Sequence, residues 1–475
     1  MTKRHASETP RPVRTGRYRY TKWRWRIMVG AFDAVGGLAT RVGRSLRPPT
    51  PRSEPRSILV VQLDHMGDAI LTSPLLARLR RAYPDAVIDV LASPSNRAVF
   101  ASNPDVDHVR VASKNWFERR PGGSALFSAV WTLGRTLKGR GYDLGIDVRG
   151  DILTVLVLAL AGIPRRLGWR MGGGGFLLTD VAEWVPGRHE VRSRLALAEQ
   201  LGIDPDSEGP SRVVVHADDA DRIKVARWLR EAWPVARTAA RVRARVRAST
   251  LHSKLVGSRQ IARSPWKSHG DHSVIESASS EGFSLDVDRD DEPDSLHAGR
   301  FGEEAPLLAV HLGAGTAAKR WPRAHWQALI DRFLADGWRI LLIGGPDDVA
   351  ISAAIRPHPG LRDWSGRLAV TETSALLERA DFFVGSDSGP AHVAASAGVP
   401  SLILFSGTNR PAQWRPWSRR TMILRNRTAC RPCHVKTCPL ADHPCMAGIT
   451  PDRAYRAATQ WWRRLHRSES PHGPI

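Results

Sequence analysis

The run ILVVQL at 58–63 shows no alternation of apolar and polar positions, the mark of a strand buried on both faces. The apolar positions after it, Ile70, Leu71, Leu75, Leu76 and Leu79, fall at helical spacing. VIDVLAS (87–93) and YDLGIDV (142–148) predict two more strands, the second followed by an apolar helix from Ile152 to Ile163. The pattern stops and then resumes at LLAVHLG (307–313), RILLIGG (339–345), FFVG (382–385) and SLILF (401–405), with helices between. Buried strands alternating with helices predict parallel sheets covered on both faces, hence an α/β protein in two halves. Ligands of such sheets bind beyond the carboxyl ends of the strands, and two facing halves make a cleft.

Boundaries follow from where the pattern fails. Residues 1–55 are rich in Arg, Pro and Ser, and include a stretch that mixes Arg and Lys with Trp23, Trp25, Ile27, Met28, Phe32, Val35 and Leu38. A helix there is amphipathic with a basic flank, as an interfacial anchor on anionic lipid would be; a disordered basic tail is the alternative. Residues 56–234 form the first half. Residues 235–304 open on a basic run and continue rich in Ser, His, Gly and Asp, without periodicity, which predicts a disordered insertion; a nucleic-acid-binding arm is the sharper alternative. Residues 305–449 form the second half, and 450–475 a last helix and tail. Thr450 and Pro451 open that helix, and Trp461 and Trp462 are expected to pack against the first half.

Charge adds a partner class. The 475 residues carry a formal net charge of +23, which favours phosphate-rich partners: nucleic acid, an anionic membrane surface or an anionic substrate. No secretory signal is evident, and the apolar run at 152–163 is too short to span a bilayer. The expectation is a cytoplasmic protein, peripheral at most on the inner face of the cytoplasmic membrane.

Candidate chemistry sits where strands hand over to helices. After the first strand comes Asp64-His65-Met66-Gly67-Asp68, where Gly67 permits a tight turn and Asp68 stands at a helix start. Asp68 reads either as an N-terminal cap or as a general base aimed into the cleft. In HLGAGTAAKRWP (311–322), Gly313 and Gly315 let backbone approach a ligand, Thr316 offers a hydroxyl, and Lys319 and Arg320 bring charge suited to a diphosphate. The GK[ST] ending of a Walker loop is missing. In LLIGGPDD, Asp347 or Asp348 caps a helix or meets a ribose hydroxyl, with the cap preferred. GSDSGPAHVAASAGVP (385–400) crowds Ser386, Asp387, Ser388, Gly389 and His392 into two turns at a helix start, where anions bind well. Cys430, Cys433, Cys438 and Cys445, with His434 and His443 nearby, suit tetrahedral zinc or reduced structural thiols.

Taken in order, ILVVQLDHMGDAILTSPLLARLRRAYP, HLGAGTAAKRWP, DSGPAHVAASAGVPSLILF and CRPCHVKTCPLADHPCM resemble glycosyltransferase family 9, the ADP-heptose:lipopolysaccharide heptosyltransferases. The resemblance runs from about Ile58 to Leu465, the insertion excepted. It implies a GT-B fold, two Rossmann-like domains facing across a cleft, with acceptor on the first half and nucleotide sugar on the second. It implies inverting transfer from ADP-heptose to a lipid-linked or envelope glycan, with no catalytic metal and no required cofactor. Asp68 matches the catalytic aspartate, though His65 and Met66 depart from the usual residues before the Gly-Asp pair. Thr316 and Lys319 match the phosphate-contacting loop; Asp387, Ser388, Gly389 and His392 match the donor-binding segment. A dehydrogenase reading lacks the GxGxxG fingerprint after the first strand, and a charge-driven nucleic-acid-binding protein is the alternative from another class.

Overall fold

A computed structural model describes residues 23–44, 53–112, 123–204, 211–233 and 305–468. The expected insertion at 235–304 lies outside the described residues. Two parallel sheets of six strands each form the core. The first holds β1 (Ser57–Gln62), β2 (Val87–Ala92), β3 (His108–Val111), β4 (Leu144–Asp147), β5 (Arg165–Trp169) and β6 (Asp180–Ala182), in the order β3-β2-β1-β4-β5-β6. The second holds β7 (Leu307–His311), β8 (Arg339–Leu342), β9 (Leu361–Asp363), β10 (Phe382–Ser386), β11 (Ser401–Leu404) and β12 (Thr421–Leu424), in the order β12-β11-β10-β7-β8-β9. Counted within its own half, each sheet has the same doubly wound order, 3-2-1-4-5-6. The strand pairs at the two points of reversal are β1–β4 and β7–β10, in register at Val60↔Ile146 and Val384↔Val310. The fold is the α/β, GT-B-type arrangement that the sequence implies.

Helices cover both sheets through apolar stripes. On the second sheet, Phe333 stacks edge-on with Trp338, and Trp321 with Trp326. The last helix, Pro451–Ser468, corrects one expectation. It packs on the second half, not the first: Trp462 sits against Trp338 and Phe382, and Ala454, Ala457 and Ala458 are buried beside Leu402 and Leu404. The physical reason is that the helix Arg323–Ala335 covers only part of this face, and the small-residue stripe lets the last helix pack beside it over β11 and β12. The helix Asp219–Ala232 in turn packs on the helix Val370–Leu377 of the second half, with Arg222 on Glu378 and Lys224 on Glu372. It thereby ties the chain between the lobes.

Among the described residues no helix is long and apolar enough to cross a membrane. The four cysteines are free, Cys445 buried and the others half-buried. Among the described residues no three His, Cys, Asp or Glu side chains converge as metal ligands. The cysteine segment packs on the turn Ala317–Lys319, where Ala318 donates to the Lys436 carbonyl and His443 Nε2 meets the Ala318 carbonyl at 3.0 Å.

Candidate active site

Two helices open at the points of strand reversal and meet start to start. The helix Met66–Ala82 follows β1, and the helix Gly389–Ala397 follows β10. A β-carbon at Gly67 would lie 3.0 Å from His392 Cδ2, and one at Gly389 would lie 3.4 Å from Met66 Sδ. Gly67 is therefore bare where the lobes come closest, whereas a β-carbon at Gly389 would make an ordinary van der Waals contact. Asp68 and His392 come from different lobes and sit on either side of that contact.

Asp68 is held by Arg194, whose Nη2 donates to its Oδ1 at 3.2 Å. Arg194 is almost wholly buried and also donates to Glu190 at 2.9 Å and to Thr72 Oγ1 at 2.9 Å. Glu190 then accepts from Gln413 Nε2 of the other lobe at 2.8 Å. A line of polar contacts so runs Asp68–Arg194–Glu190–Gln413 across the cleft. Beside it, His189 takes the Val191 amide at Nδ1 and donates from Nε2 to the Arg415 carbonyl at 2.9 Å, while its ring lies 4.5 Å from that of Trp417.

On the second lobe, Lys319 Nζ donates to Asp387 Oδ2 at 2.7 Å and to the Asp387 carbonyl at 3.3 Å. The Asp387 side chain is 4% exposed, so the pair is desolvated on the acid's side. Asp387 therefore orients Lys319 rather than meeting a phosphate itself. Ser388 Oγ lies 3.0 Å from His311 Nδ1, and His311 Nε2 lies 3.1 Å from Asp348 Oδ2. Ser388 Oγ also donates to the Ser386 carbonyl at 3.1 Å. The Ser388 hydroxyl is thus turned inward, not out from the helix start as the sequence suggests, and backbone amides are the donors left to face an anion. Asp348 is the cap: Gly345 N donates to it at 2.9 Å. Burial raises its pKa, but hydrogen bonds from His311 and Gly345 outweigh this and hold it below the usual carboxylate value. Gly313 also reads differently from expectation. A side chain there would overlap Asp348, so its bareness serves the cap, whereas Gly315 faces open space.

Among the described residues, Thr316 Oγ1, Ser386 Oγ and His392 Nδ1 are buried without a hydrogen-bond partner. Ser386 ends β10, Thr316 lies in the loop after β7, and His392 sits a turn into the helix after β10. Each such atom left dry and unpaired costs about 1–3 kcal/mol, which the polar groups of a ligand would offset.

His392 is pushed down to about 3 by burial, with the Lys319 and Arg194 charges adding to it. Burial likewise lowers His189 to about 4. Both rings are neutral at neutral pH. The sign follows: a folded-state value below the unfolded 6.5 gives stability that is present above pH 6.5 and lost as pH falls towards 4. We expect the melting temperature to drop over that window, and His189→Gln to make the drop shallower by removing one of the two titrations. A calorimetric series from pH 7 to about 4.5 checks it; equal slopes in both proteins would refute the assignment for His189.

The family model for glycosyltransferase family 9 (heptosyltransferase) matches residues 275–443. Lipopolysaccharide heptosyltransferase 1 of Pseudomonas aeruginosa is 27% identical over 391 residues, covering 80% of this chain and 87% of that one. Lipopolysaccharide heptosyltransferase 3 of Escherichia coli is 23% identical over 361 residues, covering 74% and 84%. Over these stretches the chain is similar to glycosyltransferase family 9, which supports glycosyltransferase activity, and its fold agrees. The E. coli ADP-heptose lipopolysaccharide heptosyltransferase II structure superposes with a TM-score of 0.59 at 20% identity, over 86% of this chain and 99% of that one. The family 9 structure from Veillonella parvula does so with a TM-score of 0.59 at 18% identity, over 86% and 97%.

The structure gathers Gly67, Asp68, Lys319, Asp387, Ser388, Gly389 and His392 about one cleft, with Thr316 and Gly315 in the loop that carries Lys319. Sequence reasoning missed Arg194, Glu190, His189, Gln413 and His311. One signal was available: Glu190 and Arg194, four apart, lie on a helix whose Val191, Leu195, Leu197 and Ala198 are buried. A charge pair inside an apolar stripe needs a buried partner.

Proposed function

We propose that this protein transfers a heptose, or a related sugar, from an ADP-sugar to a lipopolysaccharide-like or other envelope glycan, with inversion, at the inner face of the cytoplasmic membrane. The observation that carries the reading is that the helix start carrying His392 abuts the Gly67-Asp68 helix start of the other lobe, while Thr316 Oγ1, Ser386 Oγ and His392 Nδ1 are buried without a partner among the described residues. The names of the similar proteins suggest the sugar and acceptor classes, and the geometry supports the roles given below.

Asp68 takes the proton of the acceptor hydroxyl as that oxygen attacks the anomeric carbon. The bond to the nucleoside diphosphate breaks on the opposite face through an oxocarbenium-like centre. Arg194 fixes the carboxylate's direction. Lys319, aimed by Asp387, and the amides at the Gly389 helix start carry the charge that builds on the leaving group. These fixed positive groups let the reaction proceed without a catalytic metal. Thr316 Oγ1 is a hydrogen-bond donor to the same diphosphate, and the neutral His392 ring supplies one further polar atom, Nδ1, without adding charge.

Thermal shift and donor hydrolysis with ADP-, GDP- and UDP-sugars test the reading. At ligand concentrations about a hundredfold above Kd, binding adds about 2.7 kcal/mol, visible as a rise of a few degrees. ADP-sugars should give that rise and the others little. A rise with GDP- or UDP-sugars alone would move the protein to another donor.

A further inference from the structure

The helix Trp23–Arg44 is amphipathic in the sense opposite to that of a water-facing element. Between Ile27 and Leu38 the one charged residue is Asp33, and its Oδ1 turns inward to take the Gly174 amide at 2.7 Å. Val29 is buried on Gly173, and Gly36 lies against the Phe176 ring, which Phe32 also stacks on at 5.1 Å. The opposite side is apolar and bare. Ile27, Met28, Val35 and Leu38 are 61%, 57%, 73% and 67% exposed. Within residues 27–38, at helical spacing, Ala34, Ile27, Leu38, Ala31, Val35, Met28 and Phe32 fill an arc of about 160° without a charge, and Arg24, a turn before Ile27, falls in line with it at its end.

An uncharged exposed arc of this kind marks a contact with something apolar. The surrounding charge selects what it is. Arg24 and Arg26 lie in the first turn of the helix, Arg41 and Arg44 in the last, and residues 1–22 add seven Lys and Arg against one Glu. A purely apolar protein groove would satisfy the arc and leave the arginines uncompensated. An anionic bilayer surface satisfies both, hydrocarbon beneath the arc and lipid phosphates at the flanks. The seat of the helix fits this use. Gly173 and Gly174 belong to the loop beyond the carboxyl end of β5, and a side chain at the adjoining Gly172 would overlap the Gly150 carbonyl. Arg149, next in sequence, pairs with Asp64 at the end of β1, four residues before Asp68. The helix is therefore mounted on the acceptor-side rim of the cleft.

We propose that the helix Trp23–Arg44 is an interfacial anchor that lies in the headgroup region of an anionic bilayer, with Ile27, Met28, Val35 and Leu38 inserted. This deepens the functional reading by adding a partner, the bilayer, on the side where the acceptor enters. The test uses no turnover, so its failure is distinct from a failure of the donor assignment.

Full-length protein is floated with vesicles of phosphatidylcholine alone and of phosphatidylcholine with about a third phosphatidylglycerol. Binding is expected to the second and weakly to the first. Ile27→Glu/Val35→Glu/Leu38→Glu should lower the partition coefficient at least tenfold, and the corresponding triple Ser variant should lower it in the same direction by a smaller factor. All three side chains are exposed, so the melting temperature and the donor-induced melting shift should stay as in the parent. Three results would overturn the proposal: no binding of the parent to either vesicle; triple variants that bind as the parent does, which would leave the charged tail as the sole attachment; or a parent that is dimeric without lipid and monomeric as the triple Glu variant, which would make the arc a contact between copies.

Discussion

Asp68→Asn is expected to lower the rate of sugar transfer by about a thousandfold and to leave donor affinity within about twofold. The amide keeps the shape of the carboxylate and can no longer accept the acceptor's proton. Arg194 retains Glu190 and Thr72 as partners, so the substitution does not strand a buried charge. The donor cradle is built from the other lobe, by Lys319, Thr316 and the Gly389 helix start, and none of these groups depends on Asp68. The measurement is product formation at saturating donor, beside a calorimetric titration with the ADP-sugar. Turnover within tenfold of the parent would remove Asp68 from the chemistry. Loss of donor binding together with turnover would mean that the residue holds the lobes rather than the proton.

The second large effect belongs to Lys319. Lys319→Met strips the partner from a carboxylate that is 4% exposed, and breaking a buried pair from one side costs about 3–5 kcal/mol. It also removes the cation to which the proposed function assigns the leaving group's charge, so the donor dissociation constant should rise by about a hundredfold. The two losses can be separated. Lys319→Met/Asp387→Asn relieves the stranded carboxylate and should recover most of the melting temperature, while donor affinity stays low. If the double variant recovered affinity as well, Lys319 would be a structural lysine whose work is to neutralise Asp387. If neither variant changed donor binding, the diphosphate would have to lie elsewhere in the cleft.

The sequence made the architecture legible where strands are buried on both faces. Leu59, Val60 and Val61 of β1, or Phe383 and Val384 of β10, leave little room for another reading, because a run of that kind has no solvent side. β3, β9 and β12 are short edge strands of four, three and four residues with incomplete burial, and their composition does not separate them from loops. β5 begins with two arginines, and only its last three residues are buried. The site divides in the same way. Asp68, Lys319, Gly389 and His392 stand at strand-to-helix turns, where topology alone places ligands. Arg194 stands inside a helix 126 residues from the aspartate it holds, and Gln413 lies 223 residues from Glu190. No local pattern encodes a pairing across such separations. The inward turn of the Ser388 hydroxyl was hidden for a related reason: it depends on His311, which the sequence shows only as the end of a strand.

The meeting of two helix starts, Gly67 against His392 and Gly389 against Met66, has a consequence for the charge in the cleft. Each start carries the positive pole of its helix, worth about half an elementary charge. Asp68, in the first turn of one of these helices, offsets its pole and leaves the pole at Gly389 without an acid in its first turn. Under the proposed function, the pyrophosphate of a donor seated there would draw on that pole, and its departure would restore the uncompensated charge.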